Sequence, residues 1–417
     1  MKPALQPFDE ALAALLDNAT PVTEIETLDT LDCDFRVLAA DLRSTLNVPP
    51  HDNTQMDGYA VRRADLAQAS ERAPVRLPVA QRIPAGHLGR PLAAGEAARI
   101  FTGGLVPDGA DAIVMQEQAS VEGDHVVFTR CPEPGEWIRR VGEDIRAGSI
   151  VLPVGTRLSP QATGLAASVG LAHLPVRRRV RVACFLPGEP LRPGAIYNSN
   201  RFVLVSLLRR LGCVVHDLGN VPDSLQATRD ALRRAAAAND LVVTSGGVSV
   251  GEEDHVKPAV EAEGELRMWQ IAMKPGKPLA YGRVRRGSDG SASTAGGGRG
   301  AGSDFAHFIG LPGNPVSSFV TFVLMVRPFV LRLQGVDDVA PLAIAMRADF
   351  DWPKPDRRRE FLRVRVNERG GLERFPNQSS AVLTSTVWGD GLVDNPPQHA
   401  IAAGDVVRYL PFTALLN

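Results

Sequence analysis

The chain has 417 residues, a formal net charge of −1, 44% hydrophobic and 22% charged residues. That length exceeds one ordinary core and predicts two to four domains, while near-neutrality argues against nucleic-acid binding as the main task. Cys33, Cys131, Cys184 and Cys213 are scattered with no CxxC pair, which points to reduced thiols in a cytoplasmic protein and away from a zinc site or disulfide framework.

Residues 1–20 predict a helix with Phe8, Ala11, Leu12, Leu15 and Leu16 on one face. Its Asp9, Glu10 and Asp17 are unlike a signal peptide. From 26 to 144, short alternating runs such as "VRLPVAQRI", "ARIFTGG", "DAIVMQE" and "HVVFTR" are punctuated by Gly, Pro and Asp, the pattern of a small all-β domain. "SPQATGLAASVG" (159–170) predicts a helix with Ser159 at its N-cap and Pro160 in its first turn. We read 1–25 and 145–176 as one elongated helical piece into which the β domain is inserted.

From 177 strands and helices alternate. "RVRVACFL", "CVVHDLGNV", "DLVVTS" and "FIGLP" read as strands; "NRFVLVSLLRRLG", "DSLQATRDALRRAAAAN", "EDHVKPAVEAEG" and "NPVSSFVTFVLMVRPFVLRLQ" read as helices. The alternation predicts a doubly wound parallel α/β sheet over 177–335. Asp223 and Gln226 fit a capping box. The Gly/Ser-rich stretch 286–304 has nothing to pack and predicts a disordered insertion. "LRVRV", "AVLTSTV" and "DVVRYLPF" suggest a second small β domain over 336–417. The apolar run "FVTFVLMV" is ended by Arg327 and Pro328, short of the ~20 residues of a membrane span.

Ligands of an open α/β sheet sit beyond the carboxyl ends of its strands. There "TSGGVSVG" places Ser245, Gly246, Gly247, Ser249 and Gly251, a loop whose bare backbone and hydroxyls can cradle a phosphate; a tight turn with an N-cap accounts for the same residues. Glu252, Glu253 and Asp254 follow at once. Acids beside an anion site call for a hard divalent cation between them, with Asp254 as its candidate ligand, although acids in a first helical turn also favour the helix dipole. Lys274 and Lys277 flank a Pro-Gly turn and could hold an oxyanion, or stand as a solvated basic turn. "GLPGNPVSS" puts Asn314 at an N-cap and Pro315 at N1, a second helix start at the same sheet edge. In the β region, Asp52, Asn53, Asp57, Thr102, Glu117, Arg139, Arg140, Glu143 and Asp144 form polar stretches. Turn chemistry explains each of them alone, and their spacing does not join them to the α/β loop.

Six motifs, "NTQMDGYAV", "RIFTGGLVPDGADAIVMQE", "RRVGEDI", "SGGVSVGEEDHVKP", "KPGKPLAYG" and "GLPGNPVSS", occur here in one order and spacing. In this the chain resembles the molybdopterin molybdenumtransferases, the MoeA family that includes the E domain of gephyrin. The resemblance implies an elongated helical domain with an inserted β domain, an α/β domain like the molybdopterin adenylyltransferases, and a C-terminal β barrel. It implies a homodimer in which the α/β site of one subunit faces the β domain of the other, and contact with a molybdopterin adenylyltransferase and downstream cofactor-processing proteins. The implied reaction inserts molybdate into adenylylated molybdopterin and releases AMP. By the same resemblance, the Ser245–Gly251 loop and Pro312, Gly313, Asn314, Pro315 and Ser317 would hold the pterin phosphate and nucleotide. Asp57, Asp144 and Asp254 would hold Mg²⁺ on the pyrophosphate, and Lys274, Lys277 and Arg139 would take molybdate. Thr102 and Asp223 match further positions that matter in the family. One segment departs from the pattern. Where the family has Thr-Gly-x-Glu-Leu and later Tyr-Asp-Ser-Asn, this chain has "LPGEPLRPGAIYNSN", with Pro187, Pro190 and Asn198 replacing polar groups. A weakly catalytic paralogue that carries molybdopterin is the alternative this raises, and a plain adenylyltransferase is a third.

Overall fold

The computed structural model describes residues 5–188, 197–248, 255–287 and 304–416. Ser249, Gly251, Asp254, Pro190 and nearly all of the 286–304 insertion lie outside the described residues. The chain divides into two compact units: 1–39 with 155–159 and 174–417, and 40–154 with 160–173.

A six-stranded sheet organises the larger unit. Its order is Val214–Val221, Arg181–Pro187, Leu241–Ser245, Phe305–Leu311, Pro278–Arg285, Gly264–Gln270. The first four are parallel, and the central Arg181–Pro187 and Leu241–Ser245 are the two-sided apolar runs such a sheet buries. The last two are antiparallel, which corrects the all-parallel expectation: "PLAYGRVR" forms an edge hairpin with the strand after helix Val256–Glu263. Helices Ser199–Arg210 and Leu225–Ala238 lie where their periodicity placed them. The cap of the second differs from expectation. Ser224, with extended backbone, accepts from the Ala227 N–H, while Gln226 turns to Asp230, so Asp223 closes no capping box.

The apolar run near 320 is not cut at Arg327 and Pro328. It continues as a helix of 19 residues, Pro315–Leu333, long and apolar enough for a membrane span by length and composition but with 94% of that window buried. Pro328 has no N–H for the turn before it, and the helix absorbs this with a π segment at Phe322–Val326. Around it lies the main core, including Leu15, Val182, Leu208, Leu279, Phe329 and Phe412. Arg327, 7% exposed, donates to the carbonyls of Val339 and Ala414.

The segments expected to be helical hold helices Phe8–Leu16 and Pro160–Ser168, the first shorter than predicted, and also paired strands Ile25–Asp29 and His173–Arg177. At the C-terminal end, Met273–Lys274, Arg359–Val366, Gly391–Asn395, Val406–Pro411 and Ile344–Arg347 form one sheet, and Leu372–Arg374 pairs with Arg359–Val366. A bridge between Ala348 and Leu372 brings the last strand back toward the first, giving the sheet a barrel-like curl. "AVLTSTV" is no strand; Thr384–Trp388 is helical. There Ser385 accepts from Nε of Arg363, which is 1% exposed, so a polar anchor overrides β propensity. In the smaller unit a six-stranded sheet runs Ala112–Met115, Gly58–Val61, Ala97–Ile100, Val75–Ile83, His125–Phe128, Ala119–Glu122, as the alternating pattern predicted.

Asp240 fastens the amino end of the larger sheet. Its carboxylate takes both Arg178 Nη atoms (2.9 and 3.1 Å) and the Arg181 N–H (2.8 Å). Burial raises its pKa, but the Arg178 and Arg181 bonds outweigh that and hold it below the usual carboxylate range. Its stabilisation is therefore complete above about pH 4, the ordinary unfolded value, and fades as pH falls through the lower folded value. Asp240→Asn should cost about 2 kcal/mol at pH 7, less than a fully buried pair because both partners keep some exposure. Urea unfolding at pH 7 and pH 3 checks this: the two proteins should differ at pH 7 and converge on acidification.

Candidate active site

Two glycine turns meet at the carboxyl edge of the parallel strands. Strand Leu241–Ser245 runs into Gly246 and Gly247, with φ of 85° and 70°, a left-handed pair that side chains resist. Strand Phe305–Leu311 runs into Pro312-Gly313-Asn314. The turns are fastened together. The Gly246 N–H donates to Leu311 O at 3.0 Å, and the Ser245 hydroxyl donates to Pro312 O at 2.7 Å. A Cβ on Gly313 would lie 3.6 Å from the Gly246 Cα, so backbone approaches backbone here.

Asn200, in the first turn of helix Ser199–Arg210, completes the fastening. Its amide nitrogen donates to Ser245 Oγ (2.9 Å) and Gly313 O (2.8 Å), and it is 7% exposed. Sequence reasoning missed it. The available signal was an asparagine opening a predicted helix close to the sheet edge. Ser245 and Gly246 are thus occupied by structure, and Gly313 and Asn314 are the exposed part of the cradle. Asn314 occupies the N-cap position with Pro315 behind it, but its side chain does not cap; it donates to Ser380 Oγ at 3.1 Å. Ser317 is 4% exposed, within the first turns of that helix.

The "KPGKP" turn links the two sheets of the larger unit. Met273–Lys274 pairs with Arg359–Glu360 of the C-terminal sheet, and Pro278 begins the α/β strand next to the edge. Gly276 has φ of 103° and its missing Cβ would stand 2.3 Å from Thr321 Oγ1, so glycine is required by both backbone and space. Lys274 is engaged: Nζ lies 3.1 Å from Glu360 Oε1 and 3.5 Å from Asp356. Glu360 is 1% exposed and also accepts from Trp352 Nε1 (2.7 Å) and the Asp356 N–H (3.0 Å). Lys277 is exposed and pairs with no carboxylate among the described residues. Pro187 ends its strand, and Asn198 precedes helix Ser199–Arg210 without a side-chain cap bond. Asp223 is exposed before its helix.

In the smaller unit the polar stretches do come together. Residues 53–57 are bracketed by 101–104 and 137–139: the Thr54 N–H donates to Gly104 O, Gly103 N–H to Thr54 O, and Gln55 N–H to Trp137 O. Asp57 Oδ1 accepts from both the N–H and the hydroxyl of Thr102, each at 2.8 Å. Those two bonds hold its carboxyl below the usual carboxylate range, so Asp57 is ionised at neutral pH with Oδ2 unbonded among the described residues. Asn53 Oδ1 receives Arg139 (3.3 Å), and Asp52 takes Arg140 Nη1 (2.7 Å) and the Val141 N–H (2.8 Å). Glu143 accepts from the Arg140 N–H. Asp144 is exposed, its N–H donating to Val48 O.

Among the described residues no three His, Cys, Asp or Glu side chains gather as a metal set. Mg²⁺ makes a smaller demand, one or two carboxylates with waters and substrate phosphates, and the oriented carboxylate of Asp57 meets it.

The fold and these turns define a multidomain α/β protein with paired glycine turns at the carboxyl ends of parallel strands, the edge where open α/β sheets receive ligands. Comparison with known proteins extends this along the whole chain. Residues 6–170 match the MoeA N-terminal region (domain I and II), 151–332 a probable molybdopterin binding domain, and 345–412 the MoeA C-terminal region (domain IV). The chain is 36% identical over 425 residues to the molybdopterin molybdenumtransferase of Haemophilus influenzae, covering 98% of this chain and 99% of that one. It is 34% identical to molybdopterin molybdenumtransferase 2 of Mycobacterium tuberculosis, with 97% of each covered. The crystal structure of the molybdopterin biosynthesis moeA protein of Pyrococcus horikoshii superposes with a TM-score of 0.82 at 26% identity, over 98% of this chain and 100% of that one. The chain belongs to the MoeA family.

Proposed function

We propose that this chain is a molybdopterin molybdenumtransferase that inserts molybdate into adenylylated molybdopterin and releases AMP. The observation that carries this reading is the end-to-end identity with relatives named for that activity. The geometry supports it in the α/β part: Gly247, Gly313, Asn314 and Pro315 would receive phosphate and nucleotide on backbone shaped by Ser245, Gly246 and Pro312, with Ser249, Gly251 and Ser317 as the remaining members of the set. Lys277 is the cation left open for molybdate; Lys274 would orient the turn from its pairing with Glu360, and Arg139 and Asp223 are further candidates. Asp57, oriented by Thr102, would hold Mg²⁺ with help from Asp144 and Asp254. Bound there, the metal supplies neutralisation of pyrophosphate charge as AMP leaves. The four-part domain division, the homodimer with a site shared between subunits, a cytoplasmic location and exchange with an adenylyltransferase and downstream cofactor-processing proteins belong to the same proposal.

A carrier that binds without turnover is the second reading, favoured by Pro187 and Asn198 standing where the family has a threonine and an aspartate. Incubating the purified chain with adenylylated molybdopterin, Mg²⁺ and molybdate separates the two. Stoichiometric AMP release with active cofactor is expected; tight binding with no AMP would establish the carrier.

A further inference from the structure

A polar cavity of about 290 Å³ lies at the end of the α/β sheet away from the glycine turns. Strand direction fixes its place. Arg178 and Asp240 precede parallel strands and Phe305 opens one, whereas Ser245 and Pro312 lie at carboxyl ends. Arg283 and Arg286 reach the cavity from the end of the antiparallel strand Pro278–Arg285.

Three guanidiniums face two carboxylates, and the carboxylates are taken. Arg178 pairs with Glu24 and holds Asp240 through two bonds at 2.9 and 3.1 Å. Arg286 comes no nearer to Asp240 than 3.6 Å, donates to Asn239 O (2.9 Å), and keeps a buried Nε with no hydrogen-bond partner. Arg283 pairs with no carboxylate among the described residues and meets Asn18 Oδ1 at a long 3.3 Å. His307 lines the same space; burial first, then the positive field of Arg283, push its pKa down to about 4, so it is neutral at pH 7. A surplus positive charge with an unsatisfied buried donor is an arrangement that an anion relieves. Phe305 and Leu333 add apolar lining to the cavity.

We propose that this cavity binds a small organic anion, its oxyanion held by Arg283 and Arg286 and its apolar body set against Phe305 and Leu333. The site shares no residue with the proposed molybdenum-transfer machinery, so its test stands or falls separately. Phenyl phosphate is the probe, titrated calorimetrically into the full chain at low ionic strength. Saturable binding, one per chain, is expected with Kd on the order of 0.1–1 mM. Arg283→Gln and Arg286→Gln should each weaken it about tenfold or more, and Arg283→Lys should keep part of the affinity. Arg283→Gln breaks no ion pair, so its unfolding midpoint should match the parent, and AMP release should be unchanged. Absence of saturable binding, or affinity indifferent to both Gln substitutions, overturns the proposal.

Discussion

Replacing Asn200 by leucine is expected to lower AMP release about a hundredfold and to cost about 3 kcal/mol of stability. The amide makes two donations, one to the buried Ser245 Oγ and one to the carbonyl of the exposed Gly313. Leucine fills similar volume but removes both donors: loss of the bond to buried Ser245 Oγ is worth roughly 1–3 kcal/mol, and loss of the one to the Gly313 carbonyl about 1 kcal/mol more. The kinetic effect follows from position. Asn200 ties a helix start to both glycine turns, so without it that helix start is released from the turns and the cradle loses its preset spacing; displacement of about 1 Å at a reacting centre can cost 10²-fold. Asn200→Asp sharpens the test. It keeps the shape but offers acceptors to acceptors, so at pH 7 it should be as impaired as the leucine variant. On acidification its protonated carboxyl regains one donor, and cradle-dependent binding of AMP should recover in part while Asn200→Leu stays flat. Equal binding of AMP by all three proteins would mean that the fastening does not shape the site.

Asn200 also marks the limit of what a sequence discloses. The two turns were legible because glycine after a β-branched run has few other uses, and Pro312-Gly313-Asn314-Pro315 announces a strand end and a helix start together. The residue joining them lies 45 and 113 positions away, and no local periodicity encodes such a distance. Lys274 shows the same limit. Its Pro-Gly turn was readable, but its partner Glu360 sits on the neighbouring strand of the same sheet 86 residues later, so an expected free ammonium is an engaged one. Where local rules competed, the wrong one was chosen for a physical reason. Asp223 and Ser224 are both good caps, and only backbone angles select the serine. "AVLTSTV" has strand propensity, but the need to seat buried Arg363 against Ser385 makes it helical. The strand "PLAYGRVR" opens on a proline at the lysine turn and carries Gly282 inside it, local punctuation that masks an internal strand. Asp57 and Thr102 were each explicable as turn residues until pairing of Gly58–Val61 with Ala97–Ile100 brought their ends together.

Asp57→Asn is expected to reduce AMP release about a thousandfold with little change in the fold. The amide oxygen of asparagine can still accept from the Thr102 N–H and hydroxyl, so the bracketed loop keeps its hydrogen bonds. What disappears is the negative charge on the group proposed to hold Mg²⁺, and effects of this kind on developing charge reach 10²–10³ or more. The variant should need more Mg²⁺ for half-maximal rate while its unfolding midpoint stays with the parent's. Thr102→Val separates charge from orientation. Loss of the hydroxyl bond raises the Asp57 pKa toward its ordinary value, so the acid limb of the rate profile should move to higher pH. Because that ordinary value is still near 3.9, Asp57 remains ionised at pH 7. Any rate lost there reports misorientation alone, and a smaller deficit than that of Asp57→Asn is the expected result. If Asp57→Asn turned over at the parental rate with an unchanged Mg²⁺ requirement, the carboxylate would have to be a structural fastener of its loop, and the metal would need other ligands.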